Sequence, residues 1–406
     1  MNPIADIPLL HFEQRVNDRR RTSAAPAIDA SLLPESGASR PLAWRRLPRD
    51  EVEIFASRLP EAATALDEIG DERWVYLPVH PLAEAELPPD ELFHSGQIQV
   101  SASYRTVFYT PEPGGPFAGW VPAGQTLMIK LHLEQPLPGI AGDRRLTRDK
   151  IEKCVLLSDE LAAATSGDPL ARRLRIVPEF LGVSHRDGGV LYRLLPERGL
   201  IPAFSLHSRD STRPGEPPLV IQRLEALYGG NRRAAAHDLG PSLAGPLVRG
   251  MLAGMRAGFS LEMHAQNTLL ELGEDRLIEQ VLFRDLEGVV FSDRYRQRQG
   301  LAPLFPDLAN EELLWPGASM QRWYNRNLDH DIGRILHCVL EVLSVTHYFE
   351  KKEESIALGS IRREVRAAVR EAGLSGLHRS GRWLPFTRSP YGNGRRLGHY
   401  YRSRYR

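Results

Sequence analysis

Apolar and polar positions along this chain alternate with a strand period in some stretches and a helix period in others. Ile98, Val100, Tyr104, Val107 and Tyr109 recur between polar neighbours over residues 97–109, the period of two expected of a strand with one face buried. Residues 127–133, Leu-Met-Ile-Lys-Leu-His-Leu, read as a return strand, and the Pro-Gly signals within 111–119 read as the loop between them. The expectation is one long β-hairpin over 97–133. Shorter strands are expected at 74–79, 173–180 and 189–195. Helical spacing places Val52, Phe55, Leu59, Ala62 and Leu66 on one face of a helix over 50–69. Further helices are expected at 148–166, 219–228, 242–257 (ending at Gly258), 331–349 and 360–372. Residues 14–50 are rich in Arg, Ser, Ala and Pro and read as a mobile arm or weakly packed element, and 205–217 as a polar loop.

Length and composition narrow the class. At about 150 residues per domain, 406 residues suggest two to three domains. A net charge of +1 gives no global case for nucleic acid, and no run approaches the ~18 apolar residues of a membrane span. The first 20 residues lack an uninterrupted apolar stretch, so no signal peptide is expected. Two cysteines, Cys154 and Cys338, form neither a disulfide framework nor a zinc-knuckle spacing, which fits a reducing cytoplasm.

Candidate chemistry concentrates in a strand-turn-strand region over 261–291. Glu262, His264, Gln266 and Asn267 are followed, after a hairpin's length, by Arg284 and Asp285. If 262–266 is extended, Glu262, His264 and Gln266 share a face. Such groups are costly to bury without partners. Asn267, Asp285 and Glu262 are oxygen donors of the kind Mg²⁺ takes, and His264 and Arg284 suit phosphate or carboxylate. The plainer reading is a polar hairpin rim. Ser101, Ser103, Arg105 and Thr106 sit near one strand end, where hydroxyls and a planar guanidinium suit an anion; an ordinary strand is the alternative. Lys130 interrupts an apolar strand. The plain expectation puts it on a solvated face, and its place opposite 101–106 in the hairpin argues for a charge on phosphates. Arg144, Arg145 and Arg148 surround the start of the 148–166 helix, an end that favours anions. His80 closes a strand between Pro78 and Pro81 and could be structural.

In this order the segments resemble the NRPS-independent siderophore synthetases, the aerobactin-synthetase-like family. The resemblance rests on Pro78-Val79-His80-Pro81, Ser103 to Thr106, Lys130-Leu131 with Arg144 and Arg145, Glu262 to Asn267, and Arg284-Asp285, over about residues 74–291. Members adenylate a carboxylate, typically of citrate, and pass the acyl group to an amine or hydroxyl. The resemblance therefore implies ATP and Mg²⁺ as cofactors and small-molecule carboxylate and amine or hydroxyl substrates. It implies neither nucleic acid nor membrane as a partner, and leaves a homodimer open. His264, Arg105 and Lys130 are expected to be catalytic. ATP is expected on His80, Ser103, Arg105, Thr106, Lys130, Arg144, Arg145, Gln266 and Asn267. The carboxylate is expected on Ser101, Arg105, His264 and Arg284, and the metal on Glu262, Asn267 and Asp285.

The expected fold is multi-lobed α+β: an N-terminal arm and helix (1–70), a β-rich phosphate-binding lobe (71–200), and a mostly helical lobe (201–406) carrying the second hairpin, with ATP in the cleft between. Two alternatives stand beside it. A His, an Asn and a later Asp also describe a kinase catalytic loop, although no Gly-rich loop precedes Lys130 and the His-x-Asp order is absent. A nucleotide-binding relative that has lost activity is the other. The Arg- and Tyr-rich tail after residue 388 suggests nucleic acid only weakly, a solvated or dimer-contacting tail being the plainer account.

Overall fold

The computed structural model describes residues 6–17, 29–134, 144–186, 188–298, 300–304 and 320–377. It is a mixed α+β fold, as expected. Strands β1 (Arg40–Pro48), β2 (Glu53–Ala56), β3 (Trp74–Val79), β4 (Leu92–Val100), β5 (Thr106–Thr110), β6 (Gln125–Leu131), β7 (Leu174–Ile176), β8 (Leu181–His185) and β9 (Gly188–Pro196) open the chain. All but β7 join one eight-stranded sheet in the order β2-β8-β9-β6-β5-β4-β1-β3, with every pair antiparallel. Next along the chain are β10 (Leu200–Pro202), the short pair β11 (Phe259–Ser260) and β14 (Val290–Phe291), and the hairpin β12 (Thr268–Glu271) and β13 (Gln280–Phe283). Strands β10, β12, β13 and β7 form a second sheet, in which only β13 and β7 run parallel.

Both faces of the large sheet are covered. Leu127, Ile129 and Leu131 of β6 face one apolar cluster with Trp44, Val107 and Tyr192. Met128 of β6, Phe108 of β5 and Leu195 of β9 face the other way, onto Leu200, Leu269 and Leu282 of the small sheet and Leu9. A strand buried on both faces has no solvated side, so Lys130, between Ile129 and Leu131, is itself fully buried. Helix α3 (Arg148–Thr165) lies close on β8 and β9: a Cβ at Gly182 would stand 2.3 Å from Ile151 and one at Gly189 2.5 Å from the same side chain. Helices from residue 219 onward build the largest apolar cluster with α3, the small sheet and the 261–291 segment.

Several expectations are corrected. The 97–133 hairpin is a three-stranded meander, because the chain reverses at 101–105 between β4 and β5 as well as between β5 and β6. The 50–69 helix is instead strand β2 followed by a short helix, α2 (Pro60–Ala65). Pro60 disfavours helix at Leu59, so only the stretch beyond it can coil. Residues 262–266 are irregular and turn-like, not a strand. The reading of 14–50 as a weakly packed arm fails over 40–48, which pair with both β3 and β4. Helix α1 (Leu9–Arg15) is also packed into the interior, with Glu13 fully buried. Residues 142, 143 and 388–406 lie outside the described residues.

A buried ion pair joins the sheet to the second half of the chain. Arg193 Nη2 of β9 meets Glu179 Oε1 at 2.6 Å with both side chains almost wholly enclosed, and Glu179 Oε2 accepts the Leu286 amide at 3.3 Å. Removing one member strands the other charge. Glu179→Ala is expected to lose about 3–5 kcal/mol in urea unfolding, whereas Glu179→Met combined with Arg193→Met should recover most of it. Equal losses in both variants would contradict this.

Candidate functional site

Lys130 sets the floor of the site. Its ammonium donates to Asp285 Oδ1 and lies 2.9 Å from Glu287 Oε2. Burial works against its charge, but Asp285 and Glu287 outweigh burial and hold its pKa above the usual lysine value. The effect is mutual. Burial opposes ionisation of Asp285, yet Lys130, Arg193 and Arg105 hold that carboxyl well below the usual range. For Glu287 the same contest ends with a pKa lowered to about 2. Glu287 gathers further cations: Arg105 donates to Oε2, Lys150 lies 3.2 Å from Oε1, and Lys153 donates to its carbonyl at 3.0 Å. Asp285 itself has φ of +73°, a left-handed conformation that Asp tolerates better than most residues.

Above this floor lies a cavity of about 260 Å³. Ser103, Arg105 and Arg144 form one wall; Glu262, His264, Gln266 and Asn267 form the opposite one; Asp285, Glu287 and Gly288 lie between. Two larger grooves, of about 730 and 920 Å³, contain none of the expected site residues. The first wall is a tight turn. Ser103 Oγ accepts the Thr106 amide at 3.1 Å, Ser101 Oγ accepts the Ser103 amide at 3.2 Å, and Tyr104 at the tip has φ of +67°. His80 Nε2 donates to the Tyr104 carbonyl at 3.1 Å while its Nδ1 accepts the Leu82 amide at 3.1 Å, a pattern only neutral imidazole satisfies. Burial pushes its pKa down to about 4. Arg105 Nη1 donates to the Arg144 carbonyl at 2.8 Å, which ties the start of the helical segment to this turn.

On the second wall His264 Nδ1 accepts the backbone amides of Gln266 and Asn267 at 3.2 and 3.3 Å. Backbone amides thus orient the ring, and with Nδ1 accepting, the neutral tautomer carries its proton on Nε2. Glu262 Oε1 meets Arg326 at 3.2 Å, and a Cβ at Gly288 would fall 2.1 Å from Glu262 Oε2, so a side chain there would displace the carboxylate. Burial raises the Glu262 pKa, Arg326 opposes it, and Asp285 and Glu287 add to the rise. Behind Glu262, Asp331 sits on a π-helical turn (Asn327–Ile332) with Oδ2 buried and unpartnered.

Of the residues singled out in the sequence, the cavity brings together Ser103, Arg105, Arg144, Glu262, His264, Gln266, Asn267 and Asp285. His80, Ser101, Thr106 and Lys130 are buried behind it, and Arg145 is exposed outside it. Arg148 pairs at the surface with Glu53 and Glu152. Arg284, expected on a carboxylate substrate, instead donates to the Gln266 carbonyl at 3.2 and 2.9 Å and pairs with Glu13. Glu13, Glu179, Arg193, Glu287, Arg326 and Asp331 carried no signal, since single charged residues in amphipathic runs look like solvated ones.

The chain's described parts include no group of three His, Cys, Asp or Glu placed to hold a metal by themselves. Mg²⁺ needs fewer protein ligands than that: it takes one or two carboxylates and completes its shell with phosphate and water. Oxygen donors for it are present in Asn267, Asp285 and Glu287. Cys154 and Cys338 form no disulfide, and no described helix is long and apolar enough to cross a membrane.

A family profile described as "Ferric iron reductase FhuF-like transporter" matches residues 243–345. No curated protein matches the chain by sequence. Among solved structures it is similar to ATP-bound aerobactin synthetase IucA from a hypervirulent pathotype of Klebsiella pneumoniae, with a TM-score of 0.60 and 16% identity over 86% of this chain. Aerobactin synthetase IucC from the same source gives 0.60 and 17% over 87%, and petrobactin biosynthesis protein AsbB from Bacillus anthracis str. Sterne gives 0.55 and 12% over 90%. The chain spans 65% of the IucA chain, 68% of IucC and 70% of AsbB. The fold is that of these proteins.

One pH effect follows from Asp331. Burial, with the charge of Glu262, pushes its carboxyl from 3.8 up to about 7. A raised carboxyl contributes stability that is full below the unfolded value and lost as pH rises through the folded one. Here the window runs from about 3.8 to 7. Asp331→Asn should therefore gain on wild type as pH rises, by a few kcal/mol at pH 8 on the order of 1.4 per shifted unit. Urea unfolding at pH 5 and pH 8 checks this; a difference independent of pH contradicts it.

Proposed function

We propose that this chain, with its aerobactin-synthetase fold, is an ATP-dependent ligase of the siderophore-synthetase type. It would adenylate a carboxylic acid, a polycarboxylate such as citrate, and condense it with an amine or hydroxyl. The observation that carries the reading is the convergence, in one small cavity, of Arg105, Arg144 and His264 with the oxygen donors Asn267, Asp285 and Glu287.

A carboxylate oxygen attacks the α-phosphorus of ATP, the bond to the bridging oxygen breaks, and pyrophosphate leaves. The nucleophile then attacks the acyl carbon, the acyl–oxygen bond breaks, AMP leaves, and the nucleophile gives up a proton. Charge has to be neutralised in the first step, and fixed donors in an enclosed site do so without reorganisation. Arg105 and Arg144 on the turn wall are suited to phosphate oxygens. His264, its Nδ1 held by two amides, is suited to donate from Nε2 to the reacting carboxylate or the α-phosphate. Asp285, Asn267 and Glu262 would hold Mg²⁺, which supplies further charge neutralisation on the phosphates. Lys130 acts one layer below: it keeps Asp285 and Glu287 ionised and in place. The buried position changes the expectation for its removal. Lys130→Ala would leave Asp285 without its ion-pair partner, while Glu287 keeps Arg105 and Lys150, and would cost about 3–5 kcal/mol of stability, instead of being a silent surface change.

Product analysis separates the readings. Incubated with ATP, Mg²⁺ and a panel of di- and tricarboxylates, the protein should release AMP and pyrophosphate in a carboxylate-dependent manner. ADP as the sole nucleotide product would favour a phosphotransferase and overturn the ligase. The matched profile's name raises ferric reduction; the usual iron–sulfur clusters take four cysteine ligands, or two with two histidines, and neither cysteine lies at the cavity.

His264 gives a sharper test. Asn places an acceptor near the position of Nδ1 and omits the Nε2 donor. His264→Asn is expected to keep its melting temperature while turnover falls about 10²-fold or more, the scale of losing one such donor. A stable variant with near-normal turnover would remove His264 from the chemistry.

A further inference from the structure

We propose that Glu13, on the N-terminal helix, is a positioning residue that sets the spacing of the cavity's two walls. Its carboxylate is fully buried and reaches both of them. Oε2 accepts the Ala102 amide at 3.1 Å, one residue before Ser103 on the turn wall. Oε1 pairs with Arg284, whose Nε and Nη2 donate to the Gln266 carbonyl at 3.2 and 2.9 Å. The Arg284 amide also donates to the Asn267 carbonyl at 3.0 Å. One carboxylate thus links the turn that carries Ser103 and Arg105 to the loop that carries Gln266 and Asn267. The two halves of this link are 89 and 271 residues from Glu13 in sequence, so nothing local holds them together.

The helix does not depend on Glu13 for its seat. Leu9 is buried against the small sheet and its amide donates to the Glu197 carbonyl at 2.8 Å. His11 Nε2 meets Asp210 Oδ2 at 2.7 Å, and Gln14 Nε2 donates to the Val100 carbonyl at 3.2 Å. Loss of the Glu13 charge therefore acts on the walls, not on the placing of the helix. Held walls are pre-organised for a ligand that touches both, and loosened walls must be ordered at the moment of binding.

This inference rests on the reading of the cavity as a nucleotide site, and its test separates the two. Glu13→Gln keeps the shape and an acceptor for Ala102 but loses the charge facing Arg284. In the full-length protein, KM and Kd for ATP should rise about tenfold, the scale of one charge-assisted hydrogen bond, with kcat at saturating ATP within about twofold of wild type. A merely structural role would lower kcat with the folded fraction and leave KM unchanged, which would overturn the proposal. Should Glu13→Gln fail to fold, Arg284→Lys takes its place: it keeps the charge pair, loses the fork on Gln266, and carries the same expectation. Should wild type bind no ATP, the nucleotide reading falls, and hydrogen exchange then decides Glu13 alone. Faster exchange in both 101–106 and 264–268 of the variant supports the link, and unchanged exchange in either overturns it.

Discussion

Lys130 stands fully buried in a strand whose two faces are both covered by apolar side chains, and the arrangement of the site follows from that charge. An isolated ammonium there would be lost to deprotonation or unfolding. It persists because Asp285 and Glu287 come to it from the turn that follows β13, which fixes where the chain goes after that strand. Arg105, Lys150 and Lys153 then converge on Glu287. The large sheet, the 285–288 turn and the face of α3 are thereby held at one spacing, and the cavity is the space left above them. Buried pairs of this kind are weak support for stability in themselves but strongly penalise any arrangement that separates them.

The same network shapes the electrostatics that a ligand meets. Glu287 already neutralises Arg105, and Arg326 holds Glu262, so on the proposed reading a polyphosphate would have to exchange partners instead of filling an empty cationic hole. Such an exchange favours a ligand that arrives with its own cation, which can take up the released carboxylates. Glu262 and Asp331, pushed upward by burial, and Asp285 and Glu287, held down by Lys130, are carboxyl groups of opposite protonation tendency, and Glu262 feels the charge of both Asp285 and Glu287.

Much of the fold was legible where local pattern and burial agree. The strands at 74–79 and 188–196 and the helices at 148–165 and 219–228 follow the apolar periodicity closely. The short polar motifs singled out in the sequence supply most of the lining of one cavity. Periodicity failed at 101–105, where the turn Ser-Ala-Ser-Tyr-Arg keeps the alternation of the strands on either side, and at 53–65, where a strand is followed within a few residues by a helix that starts at Pro60. It could not place Lys130, because burial on both faces is a property of the assembled layers and not of the strand. Nor could it find Glu13 or Glu179, each of which owes its role to partners more than a dozen residues away. Arg284 was recognised as a charged group near a site, but its direction was set by Glu13 and could not be read from its neighbours.

Structural likeness at 12–17% identity establishes architecture, and the ligase reading stands on the cavity itself. Its central claim is that a carboxylate oxygen becomes bonded to the α-phosphorus of ATP. The most direct measurement follows that oxygen. With an ¹⁸O-labelled carboxylic acid, an amine acceptor and ATP, mass spectrometry of the nucleotide product should find one ¹⁸O atom in AMP per condensation. AMP free of label, or label appearing in inorganic phosphate beside ADP, would contradict the account.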